Sequence, residues 1–435
     1  MVSLFKSIKF LPLFLTQFFG AFNDNAFKNA LLIWFVYEAA QGQNLGQNLG
    51  QNSPNPEQMV NLAAGLFILP FFLFSAIAGQ MADKMEKSWL IRRIKMAEIF
   101  LMICCFAGFY WQNAYFLLFI LFLMGMQSTL FGPLKYSLLP LHLPKNQLIA
   151  GNGAIEAGTF LAILLGTIAG GLLIRLDGGI YIISFLVICC AIFGYFSSRH
   201  IPLAPAQEPK LTISLNIFAQ TLKIIRKAQE EKTVFLSIMG ISWFWFIGLV
   251  FLTQFPLYTK NIIGGDEKIV TFFLATFSIG IGIGSFWCNK LLKGQINGRL
   301  VPCGILMMSL AILAFCLASI LYQQNINANN IGLGAFLLGN FYGAAISLCL
   351  FALAVAAGIY IVPLYAIMQE RAPKEHLARI IAANNIINAL FMVGASAFAM
   401  VLFAAGFNVN GLFLAVSILS LISFFFVKKI VQKHA

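Results

Sequence analysis

The amino-acid sequence predicts an all-α membrane protein in which 12 transmembrane helices form two six-helix bundles. The first of three observations behind this prediction is composition. Of the 435 residues, 60% are hydrophobic and only 10% are charged, and the mean hydropathy is +0.86. A soluble globular protein carries roughly 25% charged residues. The sequence therefore excludes a cytosolic enzyme, a secreted domain and a disordered regulator, because most of the surface must face lipid.

The second observation is a series of twelve apolar runs, since a helix of roughly 20 residues spans a bilayer. The runs are long and do not alternate apolar with polar residues, which argues against membrane strands. Residues 331–342 are also fairly apolar, so the start of the tenth span is the least defined boundary. The predicted spans are residues 10–39, 59–82, 90–110, 114–133, 147–174, 179–196, 233–259, 269–289, 300–321, 343–367, 377–405 and 409–427.

The third observation is an internal repeat about half a chain apart. PLKYSLLPLHLPKNQLIAGN starts at Pro133 and PLYAIMQERAPKEHLARIIAAN at Pro363, and each contains Pro-Leu, a tyrosine and a second proline followed by lysine. A duplicated unit of this kind is typical of two-bundle transporters with a site near the midplane. The predicted parts are an N-terminal bundle (1–197), a cytoplasmic linker with an amphipathic helix (198–232) and a C-terminal bundle (233–435).

Positive charge divides the connecting segments into two unequal sets. Both termini and alternate loops hold most of the 28 Lys and Arg residues, whereas the opposite loops hold only Arg175, Lys260 and Lys268. Cytoplasmic loops of membrane proteins are enriched in Lys and Arg, so both termini are predicted to be cytoplasmic. The low-complexity 41–58 loop is then predicted to be periplasmic. Basic cytoplasmic loops beside anionic lipid explain the net charge of +13, and no nucleic-acid partner is expected.

Ionisable residues deep inside spans are costly, which makes them functional candidates. Asp24 lies roughly 22 Å along the first helix from Lys9, near the middle of the membrane, and Lys28 follows one turn later. The two residues form either a self-neutralising ion pair or part of a substrate or gating site. Lys135, at the end of the fourth span, is either an interfacial lysine that reaches the headgroups or a substrate ligand.

The fifth span contributes two further candidates on one helical face, Asn152 and Glu156. The alternative for Glu156 is a protonated carboxyl that bonds to a neighbouring helix. The corresponding face of the eleventh span carries asparagines but no charge, so the charged groups are predicted to lie in the N-terminal half. The predicted substrate-binding residues are Asp24, Lys28, Lys135, Asn152 and Glu156.

Catalysis has little support in the sequence. The chain contains no P-loop, no G-x-S-x-G and no H-E-x-x-H. The eight cysteines lie in or beside apolar runs without zinc-ligand spacing, and reduced thiols are expected there. We therefore expect no enzyme, catalytic residue, metal or cofactor.

One loop motif resembles a known superfamily. GQMADKMEK, which starts at Gly79, is similar to the loop between the second and third spans of the major facilitator superfamily, with Glu86 where a glycine is usual. In that superfamily the loop forms a cytoplasmic charge lock that holds one access state. The resemblance implies a gating role for Asp83, Lys84, Arg92 and Arg93.

Four longer segments are more specific. FNDNAFKNALL, FGPLKYSLLP, AGNGAIEAGTFLAILLGTIAGG and VPLYAIMQER look like the bacterial lysophospholipid transporter family, which carries an acid at the place of Asp24. The resemblance implies a major facilitator fold and a flippase. Such a flippase moves lysophospholipids, with lysophosphatidylethanolamine expected, from the periplasmic to the cytoplasmic leaflet of the bacterial inner membrane by alternating access.

The same resemblance implies its partners. These are the lysophospholipid substrate, the membrane lipids and a cytoplasmic acyltransferase that acts on the transported lipid, and the protein is expected to be a monomer. The alternative function is a proton-coupled exporter of drugs or other small amphiphiles. Such antiporters usually have a glycine-rich fifth span with Gly-Pro, and here Gly166, Gly170 and Gly171 have no proline after them.

Overall fold

The computed structural model describes residues 4–40, 56–326 and 331–431. Within these ranges the chain is helical and has no β-strand, only one bridge between Gly265 and Ile331. The N-terminal half comprises α1 (Leu11–Ala40), α2 (Pro56–Lys84), α3 (Lys87–Tyr110), α4 (Ala114–His142), α5 (Lys145–Leu173) and α6 (Gly179–Arg199). The linker contains α7 (Ile217–Glu230). The C-terminal half comprises α8 (Lys232–Tyr258), α9 (Glu267–Leu292), α10 (Leu300–Asn325), α11 (Leu333–Leu338), α12 (Phe341–Arg371), α13 (Leu377–Ala404) and α14 (Val409–Val431).

The predicted all-α membrane architecture is confirmed. Nine helices in the described ranges are long and apolar enough to cross a membrane. The other helices at predicted span positions are α1 and α3, which carry charged residues along their length, and α14, whose described apolar stretch is shorter. The apolar residues 331–342 contain the separate short helix α11, and α12 begins only at Phe341. Residues 41–55 of the predicted 41–58 loop lie outside the described residues.

Short polar side chains cap the N-termini of several helices. The Asn113 side chain accepts a hydrogen bond from Phe116 N (3.0 Å) at the start of α4, and Asp266 does the same for Lys268 N (3.1 Å) at the start of α9. Such caps satisfy amide groups that the first helical turn leaves without a partner. They fix where each connecting loop ends and the next span begins.

The two repeated segments lie at one end of the molecule, where α4 leads into α5 and α12 leads into α13. Pro133 and Pro363 lie inside α4 and α12, where proline removes a main-chain hydrogen bond and favours a bend. Both segments run toward the end of the molecule at which α2 ends and α13 begins. This end is called the basic end below, because the predicted Lys- and Arg-rich loops lie there.

The two halves meet along α2 with α13 and α5 with α9. At the basic end α2 and α13 approach so closely that a Cβ on Gly79 would lie 2.7 Å from Ala382 Cβ and 2.9 Å from Arg379 Cα. Only glycine allows this approach. At the opposite end, Arg175, just after α5, forms an exposed ion pair with Glu267 of α9 (3.5 Å).

Candidate functional site

Asp24 and Lys28 lie inside the N-terminal half and remain partly accessible. Asp24 Oδ2 accepts a hydrogen bond from Ser128 Oγ of α4 at 2.5 Å. Lys28 Nζ donates to Asn25 Oδ1 at 3.1 Å and lies 5.3 Å from the centroid of the Phe67 ring. Each side chain has its own partner, and the described residues contain no Asp24–Lys28 ion pair. Both charges can therefore face a ligand.

Lys135 belongs to the same interior region and is also partly accessible. Its Nζ donates to Gln17 Oε1 of α1 at 3.3 Å and lies 4.7 Å from the Tyr136 ring centroid. Gln17 also accepts a hydrogen bond from Thr159 Oγ1 of α5 (3.2 Å). The ammonium group thus points toward α1 and α5 rather than outward to a headgroup layer.

Asn152 and Glu156 lie at the contact between the two halves, where Glu156 is still close enough to interact electrostatically with Lys135. Both side chains are fully buried. Asn152 exchanges two hydrogen bonds with Gln369 of α12, through Asn152 Nδ2 to Gln369 Oε1 (2.7 Å) and Gln369 Nε2 to Asn152 Oδ1 (3.0 Å). Glu156 Oε1 accepts a hydrogen bond from Tyr136 Oη at 2.5 Å. The five predicted substrate residues therefore divide into an accessible group and a seam group.

The seam between the halves contains residues that sequence reasoning did not select. The Tyr136 ring stacks on the Tyr365 ring, and Trp245 Nε1 donates to Tyr365 Oη at 3.4 Å. Gln369 Nε2 also donates to the main-chain oxygen of Tyr136 at 3.2 Å. Both tyrosines were visible in the repeat, so its symmetry was the signal that could have identified them.

A second buried network supports the position of Asp24. Lys95 Nζ and Glu98 Oε2 form an ion pair at 2.6 Å, and both side chains are almost completely buried. Glu98 also accepts hydrogen bonds from Asn23 Nδ2 (3.0 Å) and Gln127 Nε2 (2.9 Å). Ser128, the donor to Asp24, lies 3.2 Å from Gln127 Oε1. A continuous polar chain thus runs from the accessible carboxylate to a fully partnered ion pair.

The basic end is closed by Asp83. Its buried carboxylate accepts hydrogen bonds from Arg379 Nε (2.9 Å), from Arg379 N (3.3 Å) and from Ala378 N (3.1 Å). The two amide donors belong to the first turn of α13, where the helix dipole also favours negative charge. Asp83 of one half thus binds a helix terminus and a guanidinium of the other half. These contacts are called the lock below.

The other predicted gating residues do not contact Asp83. Among the described residues no ion pair joins Asp83 to Lys84, Arg92 or Arg93; the Arg93 guanidinium lies 5.2 Å from the Trp89 ring centroid. The cationic partner is Arg379, which the sequence did not indicate. Only the packing of α13 against α2 brings this arginine to Asp83.

A cavity of about 400 Å³ lies between the halves at the basic end. Its lining includes Asp83, Ser137 and Gln369. Lys145 Nζ and Glu370 Oε1, also in the lining, form an ion pair across the halves at 3.2 Å. The parts of the chain that the structure describes contain no group of three or more His, Cys, Asp or Glu residues placed to hold a metal ion.

Apolar helices in two halves, with accessible charges in the interior and a polar lock at one end, define a multi-pass membrane transporter rather than an enzyme. The sequence profile of the Major Facilitator Superfamily matches residues 13–390. The chain belongs to this superfamily.

Curated relatives extend this result. The chain is 26% identical over 370 residues to "Lysophospholipid transporter LplT" of Klebsiella pneumoniae subsp. pneumoniae, covering 83% of this chain and 80% of the relative. It is 27% identical over 384 residues to the protein of the same name in Escherichia coli O1:K1 / APEC, covering 85% of this chain and 81% of the relative.

Solved structures share the fold at low sequence identity. The human organic anion transporter MFSD10 matches with a TM-score of 0.72 at 13% identity, covering 96% of this chain and 99% of that one. A bacterial homologue of the iron transporter ferroportin in an outward-facing state matches with a TM-score of 0.68 at 13% identity, covering 97% and 100% of the two chains. These similarities support the major facilitator fold alone.

Proposed function

We propose that the protein is a flippase that moves lysophospholipids, with lysophosphatidylethanolamine as the expected substrate, from the periplasmic to the cytoplasmic leaflet of a bacterial inner membrane. The names of the two curated relatives support the substrate class. The observation that carries the proposal is that Asp24, Lys28 and Lys135 are partly accessible charges of both signs inside an apolar bundle.

The headgroup of lysophosphatidylethanolamine carries an anionic phosphate and a cationic amine. Lys28 and Lys135 suit the phosphate, and Asp24 suits the amine. Charge–charge contacts are stronger in a low-dielectric interior than in water, but each group also loses hydration. A ligand with both charges restores partners to both kinds of side chain at once. Glu156 is already bonded to Tyr136 and acts on the seam rather than on the headgroup.

The surroundings of the two lysines suit an amphiphile. Lys28 lies beside the Phe67 ring and Lys135 beside the Tyr136 ring, so each charge adjoins an aromatic surface. A lysophospholipid needs this combination of a few polar contacts and apolar walls for its single acyl chain. A hydrophilic sugar needs more hydrogen-bonding side chains than these helices supply.

Alternating access then requires the basic end to open. The contacts that must break include the lock, the Asn152–Gln369 hydrogen bonds and the Tyr136–Tyr365 stack. The proposal requires that, while these contacts are made, the interior charges are reached from the opposite end, which the charge pattern predicts to be periplasmic. Opening at the basic end would release the headgroup to the cytoplasmic leaflet.

Uptake of labelled lysophosphatidylethanolamine into spheroplasts, with and without the protein, tests the proposal. We expect uptake that depends on the protein, that Asp24→Asn abolishes and that the matched control Asp177→Asn, in an exposed turn, leaves intact. Uptake no greater than in cells without the protein, with the protein correctly inserted, contradicts the proposal. Proton-dependent efflux of a cationic dye in the same cells would then favour the exporter alternative.

A further inference from the structure

The linker between the halves is bound to the N-terminal half where α2 gives way to α3. Ala204 N donates to Glu86 Oε1 (2.8 Å), and Lys87 N donates to Ala204 O (3.0 Å). Partial burial acts to raise the pKa of Glu86, but hydrogen bonds from Ser88, Ala204 and Trp89 outweigh it and hold the pKa below its usual value. Glu86 is therefore ionised at neutral pH and keeps its hydrogen bond from Ala204 N of the linker.

Further along, the linker is bound to α2 itself. The main-chain oxygen of Asp83 accepts hydrogen bonds from Gln207 N (3.0 Å) and Glu208 N (2.9 Å). Gln80 Oε1 accepts a hydrogen bond from Ser214 N (2.9 Å), and Gln80 Nε2 donates to Ser214 O (3.3 Å). The residue whose side chain forms the lock thus also holds the linker through its main chain.

The Glu208 side chain crosses from this bound linker to the C-terminal half. Its Oε2 forms an ion pair with Arg379 Nη2 and lies 3.8 Å from His376 Nδ1. Arg379 Nε meanwhile donates to Asp83 Oδ2 at 2.9 Å. The guanidinium is therefore held by two carboxylates, one from α2 and one from the linker, through two of its donors.

We propose that Glu208 is a positioning residue of the lock, which holds the Arg379 guanidinium against Asp83 so that the linker contributes to closure of the basic end. The proposal rests on the alternating-access function given above, in which this end opens. On opening, the linker residues that are bonded to α2 stay with α2, and the Glu208 contacts with Arg379 and His376 break.

The geometry of arginine explains why a second carboxylate matters. A guanidinium is a rigid planar fork, so fixing Nη2 also fixes the direction of Nε. Arg379 Nη2 also donates to the main-chain oxygen of Glu375 (3.0 Å) and contacts His376 Nδ1. Without Glu208, Arg379 keeps these contacts and its ion pair with Asp83 but loses its second carboxylate, so the guanidinium is held less firmly against Asp83. Because Glu208 is partly exposed, solvent weakens its contribution, and we expect its loss to favour the open end by about threefold to tenfold.

Thiol labelling at the basic end measures this opening without any substrate. Ser137 is buried and lines the cavity of about 400 Å³, so a cysteine introduced there, in a Cys303→Ser background that removes the exposed native thiol, reports when the cavity opens. In inside-out vesicles, a membrane-impermeant maleimide should label Ser137→Cys about threefold to tenfold faster when Glu208→Gln is added. Glu230→Gln, in the same linker but paired with Lys227, is the matched control and should not change the rate.

A double-mutant cycle separates positioning from a general effect of charge. In an Arg379→Gln background, Glu208→Gln should have a much smaller effect, because only the longer contact of Glu208 with His376 (3.8 Å) remains. An unchanged rate in Glu208→Gln alone, or the same increase with and without Arg379, overturns the proposal. Failure of lysophospholipid uptake would leave this result untouched, since labelling does not depend on the substrate.

Hydrogen exchange tests whether the linker stays bound to α2. The amides of Gln207 and Glu208 should remain protected in Glu208→Gln, because their acceptor is the main-chain oxygen of Asp83. If both amides lose protection, the linker has left α2, and faster labelling reflects linker detachment rather than loss of the Glu208–Arg379 contact. That outcome overturns the positioning role.

Discussion

The rings of Tyr136 and Tyr365 stack across the two halves, with centroids 4.4 Å apart and planes 7° from parallel. The two tyrosines occupy the same position in the two copies of the internal repeat, since each precedes the Pro-Lys pair by the same number of residues. Tyr136 Oη also donates to Glu156 Oε1. The contact between the repeats therefore connects a buried carboxyl of one half to the other half.

We expect Tyr136→Phe to weaken the closed seam while the ring stack remains. The substitution removes the donor to Glu156 Oε1, and Glu156 Oε2 has no hydrogen-bond partner among the residues that the structure describes. A buried polar group left without a partner costs about 1–3 kcal/mol. The midpoint of thermal unfolding in detergent should fall. Tyr365→Phe removes a hydroxyl whose bond from Trp245 Nε1 is longer (3.4 Å) and leaves Glu156 with its donor, so the midpoint should fall less; the reverse order would contradict this account.

Ser128 should matter for transport because it orients Asp24. We expect Ser128→Ala to lower the rate of lysophosphatidylethanolamine uptake by about tenfold, since a hydrogen bond to a charged group contributes about 1.5–3 kcal/mol. Asp24→Asn should lower the rate further, because it also removes the charge. Thr129→Ala, at the next position of α4, loses only a bond to the main-chain oxygen of Gly125 and serves as the control. Equal rates in Ser128→Ala and Thr129→Ala would show that Ser128 does not act through Asp24.

Comparison of headgroups should separate the roles of Asp24 and Lys135. Lys135→Ala should reduce transport of lysophosphatidylethanolamine and lysophosphatidylglycerol alike, because both carry a phosphate. Asp24→Asn should reduce transport of lysophosphatidylethanolamine more strongly, because only that lipid carries an amine. Competition between the two lipids in proteoliposomes measures the preference. If Asp24→Asn impairs both lipids equally, Asp24 does not select for the amine.

The fold could be predicted because the patterns that indicate it can be read directly along the sequence. Apolar run length identified the helices, and the repeat at Pro133 and Pro363 pointed to two related halves. Interior charge identified Asp24, Lys28 and Lys135 as candidates. These candidates follow from residue type and from depth within a span, and both can be read directly from the sequence.

Pairing across the halves was not accessible in the same way. Asn152 and Glu156 share a helical face that the sequence predicts to bind substrate, and the sequence did not indicate that this face contacts α12 and Tyr136. No sequence motif indicated Arg379, yet it is the partner of Asp83. Such contacts depend on how the two bundles dock. The residues that form them are hundreds of positions apart, so no periodic pattern in the sequence indicates which residues meet.

The predicted orientation can be tested with single cysteines on opposite sides. Lys268→Cys and Lys210→Cys each replace an exposed lysine. Lys268 belongs to the set of loops with few Lys and Arg residues, and Lys210 belongs to the set with many. In a Cys303→Ser background, which removes the exposed native thiol, an impermeant maleimide should label Lys268→Cys but not Lys210→Cys in intact spheroplasts, and inside-out vesicles should give the opposite pattern. Labelling of Lys210→Cys from outside would reverse the orientation, and with it the direction of transport proposed above.

Asp83→Asn should change the rate of transport more than the binding of lysophospholipid. The asparagine can still accept a hydrogen bond from Ala378 N, but its amide presents hydrogens to the Arg379 guanidinium and loses the charge that α13 favours. The closed basic end is then less stable, while the accessible charges around Asp24 are unchanged. Equilibrium binding of a labelled lysolipid and its flipping rate, measured on the same proteoliposomes, give the two quantities. Arg93→Gln is the control: Arg93 is exposed beside Trp89 and makes no contact with Asp83, so both quantities should stay at the parent level. An equal loss of binding in Asp83→Asn, or a rate change in Arg93→Gln as large as that in Asp83→Asn, would exclude a lock formed by Asp83 and Arg379.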